Sequence, residues 1–128
     1  MAATYVDIAA LLPEPGEDAQ RVLWSATGQL QTNLVSLSAG ARVEQHVEGE
    51  LDVLLVVVQG AGVLTVLTAA PQTGAEAVDL DVAAPAAVLL TAGTARAITA
   101  GPAGLAYVTA HRRRPGLLPS VRASLPAG

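Results

Sequence analysis

The sequence lacks cysteine, lysine and phenylalanine, and it has only one Trp and two Tyr. The absence of Cys excludes disulfides, thiolate metal ligands and a cysteine nucleophile. Any site must therefore be built from His, acidic residues, Arg or hydroxyl groups. Apolar residues still make up 52% of the chain. The core must consequently be aliphatic, which suits closely packed β-sheets better than a helical bundle.

The charged residues exclude another class of partner. All seven basic residues are Arg, and the formal net charge is -4, which argues against a nucleic-acid surface. His111 begins the basic run HRRR. Because no aromatic platform accompanies this run, we interpret it as a solvated strand end or an interface salt bridge. The N-terminus lacks the basic and apolar regions of a signal peptide and has no membrane span. We therefore expect a cytoplasmic protein with no membrane partner.

Short β-branched stretches alternate with Gly- and Pro-containing breaks along the chain. This pattern predicts about nine or ten short strands, with turns at QGAG (59–62) and GPAG (101–104) among the breaks. Since no sustained helical period appears between 21 and 111, we predict an all-β, antiparallel sandwich or barrel. We assign 1–20 to an N-terminal arm, 21–114 to the barrel and 115–128 to an irregular tail. Residues 7–12 are left open as a short helix or an edge strand.

One polar passage, QHVEGELDV, directly precedes the apolar run VLLVVV. Its residues resemble the first motif of the cupins, G-x5-H-x-H-x3,4-E-x6-G. Gly40 and His46 match the motif, Glu48 stands at the second His, Asp52 replaces the Glu, and the closing Gly falls one residue late. In the second motif, G-x5-P-x-G-x2-H-x3-N, Gly93 matches and Arg96 replaces the His.

The resemblance implies a small β-barrel of cupin type, a jelly-roll-like double-stranded β-helix that is often a dimer. In cupins the interior holds a divalent metal on three His and one Glu. His46, Glu48 and Asp52 share parity, so we expect them to face one side, with Arg96 projecting into the same space from a facing strand. Outward-facing aliphatics of VLLVVV would leave an apolar face uncovered, which favours a homodimer.

The altered motif bears on metal binding. One imidazole with two carboxylates suits Mn, Fe or Zn, but the guanidinium of Arg96 stays charged where the fourth ligand belongs. A divalent ion about 5 Å from it would feel a repulsion of about 6 to 7 kcal/mol at an effective dielectric of about 20. We therefore prefer a metal-free cavity, in which Arg96 is the cation that keeps the buried acids ionised.

Three functions remain open at this point. The first is binding of a small polar or anionic molecule in the barrel, with Arg96 as anion partner and His46 as hydrogen-bond donor or base. The second is an enzyme, either a metal-dependent isomerase or oxygenase on His46, Glu48 and Asp52 or a metal-free epimerase using His46 and Tyr107. The third is an assembly or regulatory module without a ligand. A simpler structural alternative is a solvated acidic loop with Arg96 on the exterior.

Overall fold

A computed structural model describes residues 3–12, 20–47, 51–70 and 74–112. Within these ranges the chain forms one short helix and seven strands. Helix α1 covers Ile8–Leu11, which settles the open choice for 7–12 in favour of a helix. The strands are β1 (Gln20–Thr27), β2 (Leu30–Leu37), β3 (Arg42–Val47), β4 (Val53–Ala70), β5 (Gly74–Ala83), β6 (Ala86–Leu90) and β7 (Ala95–Arg112).

All pairings among these strands are antiparallel, and the long strands β4 and β7 each take part in two groups. The end of β7 and the start of β4 pair with each other, with β2 and β1 on one side and β6 on the other. We call this group the first half-sheet. The start of β7 and the end of β4 pair with β3 and β5, and we call that group the second half-sheet. This confirms the all-β antiparallel prediction.

Glycines in β4 and β7 produce the bends between the half-sheets. Gly60 (φ 78) and Gly104 (φ 83) have positive φ, which favours glycine. A Cβ on Gly60 would lie 2.2 Å from the carbonyl oxygen of Gly104, and one on Gly62 would lie 2.4 Å from that of Thr99. The predicted turns at 59–62 and 101–104 are therefore bends inside continuous strands, so the prediction of nine or ten strands is wrong for the described chain.

The core lies between the two half-sheets and is almost entirely aliphatic. Leu55 and Val57 of the first half-sheet join one buried cluster with Leu64 and Ile98 of the second. Along β4 the residues Val53, Leu55 and Val57 are buried while Leu54 is exposed, as expected for a strand with one face on a core. The half-sheets therefore pack face to face, and the predicted aliphatic core is confirmed.

No helix in the described ranges is long and apolar enough to cross a membrane. Of the predicted segments, the arm 1–20 contributes α1 and the first residue of β1. The tail 115–128 lies outside the described residues.

Candidate functional site

Arg96 lies on the inner face of the second half-sheet. Residues alternate between the two faces along β7, and Ile98 and Ala100 belong to the buried core cluster. Arg96 has the same parity as these two residues, because the pairing of β7 with β4 is regular from Ala95 to Ala100. Arg96 therefore has the parity of the core-facing residues, and its charge acts on the buried Tyr107.

Four residues form one row across the second half-sheet, which we call the Arg96 row. His46 of β3 is the register partner of Arg96, Arg96 is the partner of Val66 in β4, and Val66 is the partner of Val78 in β5. Directly opposed residues of an antiparallel pair have Cβ atoms about 5 Å apart. The expected neighbourhood of His46 and Arg96 is thus present in the backbone, although the strands are adjacent within one sheet and do not face each other.

Tyr107 connects the first half-sheet to Arg96. It is 4% exposed and belongs to the core cluster. Burial raises the pKa of its phenol from 10.0 to about 12, while the positive charge of Arg96 acts in the opposite direction. The phenol therefore stays protonated at neutral pH and can donate a hydrogen bond. An acid with this pKa is poorly matched to proton transfer near neutral pH.

A cavity of about 230 Å³ lies beside the Arg96 row. Strand β5 pairs with the end of β4, and β6 pairs with the start of β4. These two edge strands do not pair with each other, and the cavity opens between them. Val78 and Leu80 are 48% and 37% exposed, although they share the parity of the buried Val82. The lining residues are Val66, Val78, Leu80, Val88, Leu89, Leu90, Thr91 and Thr94.

Asp52 lies at the surface of the barrel. The side chain of His46 lies outside the described residues, so the common inner face of these two residues stays a prediction. The neighbours of Asp52, Leu51 and Val53, are buried, whereas Asp52 is exposed. One carboxylate oxygen, Oδ1, accepts a hydrogen bond of 2.9 Å from the backbone N–H of Ala92. Asp52 therefore ties the start of β4 to the turn between β6 and β7.

The predicted metal ligands are His46, Glu48 and Asp52. Glu48 lies outside the described residues, and for His46 the structure describes the backbone pairing with Arg96. The described residues contain no group of three His, Cys, Asp or Glu side chains that could hold a metal ion. The ligand set His46, Glu48 and Asp52 therefore stays a prediction; of its members the structure describes Asp52, which is exposed, and the backbone register of His46 with Arg96.

A second, larger groove of about 420 Å³ lies on the outer surface of the first half-sheet. Exposed leucines from β2, β4 and β6 form its apolar part, and charged or titratable side chains surround them. The lining residues are Leu30, Leu51, Asp52, Leu54, Leu89, Ala110, His111 and Arg112. His111 and Arg112, the start of the basic run, thus lie beside Asp52. The sequence analysis predicts an interior cavity and an uncovered apolar face, but it does not identify the residues of β5 and β6 that line them.

No protein-family model matches the sequence. No curated protein matches it either.

Solved structures do match the fold. The chain is 16% identical to an oxalate oxidase solved in complex with the substrate analogue glycolate, with a TM-score of 0.61, covering 70% of this chain and 45% of that one. It is 21% identical to KdgF from Halomonas sp., with a TM-score of 0.57, covering 74% and 80%. It is 13% identical to vicilin from Corylus avellana (hazelnut), with a TM-score of 0.66, covering 78% and 32%.

These three proteins share the cupin architecture. The chain spans less than half the length of the oxalate oxidase it matches, at 45%. At such identities the likeness establishes the architecture, and it agrees with the two half-sheets and bent long strands found here. The chain has the fold of the cupin superfamily.

Proposed function

We propose that this cupin domain binds a small anionic molecule in the barrel, beside the Arg96 row, without a metal ion. The observation that carries the proposal is the place of Arg96 on the inner face, next to Val66, which lines the inner cavity. A guanidinium stays charged at any physiological pH and presents several N–H donors in one plane, which suits a carboxylate or phosphate group.

The neighbouring side chains define what such a site can do. The phenol of Tyr107, whose pKa burial raises from 10.0 to about 12, is protonated at neutral pH and would supply a donor near Arg96. His46, opposite Arg96 in the register, would add a hydrogen-bond donor or a base. This set favours binding over catalysis, since a proton-transfer pair needs two groups poised near the working pH.

The alternative function is a metal-dependent enzyme, because one of the matching structures has Mn(II) centres. That structure is of Bacillus subtilis oxalate decarboxylase, and another is oxalate oxidase in complex with glycolate. In this chain Asp52 lies outside and Arg96 lies opposite His46. A metal bound beside Arg96 would lose a large share of the affinity that its remaining ligands could supply.

Metal analysis and the substitution Arg96→His distinguish a metal-free anion site from a metal-dependent enzyme. We expect protein purified without chelator to contain no stoichiometric Mn, Fe or Zn. Arg96→His should raise the affinity for these ions, because it replaces a fixed charge with an imidazole ligand. Arg96→Gln is the matched control, since it removes the charge and adds no imidazole. Stoichiometric metal in the unmodified protein that is lost on His46→Ala would overturn the metal-free proposal.

Anion binding is measured separately, by thermal shift and calorimetry with inorganic phosphate, acetate, glycolate and oxalate. We expect saturable binding of at least one carboxylate, and Arg96→Gln should abolish it. If no anion binds to the unmodified protein, the anion-site proposal fails and the assembly module gains support.

We further propose that the outer groove is covered by a second copy of the chain. Leu54 and Leu89 are 42% and 59% exposed within it, and the groove carries an acid, Asp52, together with His111 and Arg112. A twofold axis brings each patch against itself, so Asp52 of one copy can meet the basic residues of the other. The opposite charges on the two copies would favour one relative orientation, that of a twofold homodimer.

Light scattering after size exclusion tests the homodimer. Leu89→Glu should convert the dimer to a monomer, whereas Val22→Glu, on an edge strand at a similarly exposed position, should leave it dimeric. If the unmodified protein is monomeric at all concentrations, the homodimer proposal is wrong. The cytoplasmic location and the absence of nucleic-acid partners remain predictions from the sequence.

A further inference from the structure

The inner cavity is apolar almost throughout, although it lies beside a charged residue. Six of the lining residues are Val or Leu, and the two polar ones, Thr91 and Thr94, both belong to the turn that leads into β7. The other lining residues named on β4 and β5 are hydrocarbon: Val66 and Val78 are register partners, and Leu80 follows on β5. The cavity therefore has a polar end near the start of β7 and an apolar body.

This division excludes one broad class of ligand. A sugar or polyhydroxy acid carries hydroxyl groups over its whole surface, and each hydroxyl that loses water without a new partner costs about 1 to 3 kcal/mol. The valines and leucines that line the body offer no donor or acceptor side chain. A ligand that is polar only at one end leaves no hydroxyl unpaired along the hydrocarbon walls, and it gains the burial of its apolar part.

The size of the cavity narrows the class further. Its volume of about 230 Å³ is below the range of about 300 to 1,000 Å³ that is usual for drug-sized ligands. Thr94 and Arg96 have the same parity on the chain, and Arg96 is the register partner of Val66. A small molecule lying on Val66 is therefore within reach of the long side chain of Arg96 at one end.

We propose that the ligand is a small aliphatic carboxylate, held with its carboxylate toward Arg96 and its hydrocarbon part against Val66, Val78 and Leu80. This inference rests on the proposed function, because it takes Arg96 as the anion partner. It adds the ligand's chemical class: a short or branched monocarboxylate, as opposed to a dicarboxylate, a sugar acid or a phosphorylated sugar.

The test is a series of probes that differ in one property at a time. Calorimetry or ligand-observed NMR would compare acetate, butanoate, 3-methylbutanoate and hexanoate with oxalate and gluconate, and 3-methylbutanamide would serve as the uncharged match. We expect affinity to rise about fourfold for each added methylene that is buried, and the amide, oxalate and gluconate to bind at least tenfold more weakly than 3-methylbutanoate.

Two matched variants locate the hydrocarbon. Val78→Thr keeps the side-chain volume and adds a hydroxyl at a position that is 48% exposed, and Val22→Thr does the same at a position that is 55% exposed on β1. Val78→Thr should weaken 3-methylbutanoate binding at least threefold and leave acetate unchanged, while Val22→Thr should change neither.

The outcomes separate the two proposals. Gluconate or oxalate binding as tightly as 3-methylbutanoate, with both lost in Arg96→Gln, would overturn the aliphatic class and leave the anion site standing. If no carboxylate binds at all, the proposed function itself fails. Equal effects of Val78→Thr and Val22→Thr would also overturn the inference, because the hydrocarbon would then lie elsewhere.

Discussion

Leu64 and Leu80 lie opposite each other on β4 and β5, yet they occupy two different regions of the barrel. Leu64 is 1% exposed and belongs to the buried core, whereas Leu80 is 37% exposed and lines the inner cavity. Both have the inward parity of their strands. The same alternation of apolar residues therefore produces a filled end and an open end, and the difference comes from whether a facing strand covers the position.

The filled end determines the stability of the fold, and the open end holds the candidate site. Near the bends, carbonyl oxygens and glycines leave no free space between β4 and β7. Beside the Arg96 row, the edge strands β5 and β6 do not pair with each other. Substitutions in the filled end should thus change the free energy of unfolding, and substitutions in the open end should mainly change binding.

Gly60→Ala should have the largest effect, because it acts on the bend. The new Cβ would lie 2.2 Å from the backbone oxygen of Gly104, at a φ of +78, so the two strands would have to separate. We expect a loss of more than about 4 kcal/mol in the free energy of unfolding, or failure to fold. Urea denaturation followed by circular dichroism measures the change.

Gly93→Ala is the control for that experiment. Gly93 has a similar φ of +85, but a Cβ there would meet nothing within 4 Å. The backbone conformation alone should cost about 1 to 2 kcal/mol. If both variants lose the same stability, the close approach of the two strands is not what requires glycine at Gly60.

Leu64→Ala and Leu80→Ala test the comparison directly. Removing the side chain of Leu64 leaves a cavity in the core, which should cost about 3 kcal/mol. Removing that of Leu80 should cost less than about 1 kcal/mol, since much of the side chain already contacts water. Thermal and urea unfolding of both variants measure the difference. Equal losses would show that the cavity end is as closely packed in solution as the core.

The sequence predicted this architecture well for a physical reason. Alternating apolar residues, as in EAVDLDV, specify which face of a strand is buried, and Gly and Pro mark where the direction changes. The same signals could not distinguish a turn from a bend. Gly60 and Gly104 permit a positive φ in either case, and only the pairing partners on both sides show that β4 and β7 continue through them.

Prediction of the site was less complete, because parity is defined only within one strand. His46 and Arg96 are register partners, and the motif spacing placed them together. Counting from β3 assigns Asp52 to the same face as His46, but β3 ends at Val47 and β4 begins at Val53. The count does not carry over between strands. An interior cavity is predicted, but its lining residues on β5 and β6 are not, because they depend on which strands stay unpaired.

The stability of the protein at high pH should depend on Tyr107. Its pKa of about 12 lies above the unfolded value of 10.0, so the folded protein holds a proton that the unfolded chain releases. The stabilisation is complete below pH 10 and is lost as the pH rises from about 10 to about 12. The loss should reach about 2 to 3 kcal/mol. Denaturation curves across this range should show it, and Tyr107→Phe should remove it.

Arg96→Gln sharpens the same measurement. Because the positive charge of Arg96 lowers the pKa of Tyr107, removing the charge should raise that pKa further. Ultraviolet titration of the tyrosines detects the shift, and the Tyr107→Phe protein identifies which signal belongs to Tyr107. An unchanged titration in Arg96→Gln would mean that the guanidinium does not lie near the phenol, and it would remove the connection between the core and the anion site.

Asp52→Ala should have the smallest effect, and it tests which side of the barrel Asp52 occupies. Its carboxylate accepts one exposed hydrogen bond of 2.9 Å from Ala92, so the loss should be about 1 kcal/mol or less in the free energy of unfolding. Asp52→Asn keeps an acceptor oxygen and should lose less than Asp52→Ala. Neither change should alter carboxylate binding in the inner cavity or the affinity for Mn, Fe or Zn. A fall in metal or carboxylate affinity in Asp52→Asn, measured by calorimetry, would place this residue in the interior site after all, because an outer-face hydrogen bond cannot influence ligands on the opposite side of the sheet by direct contact.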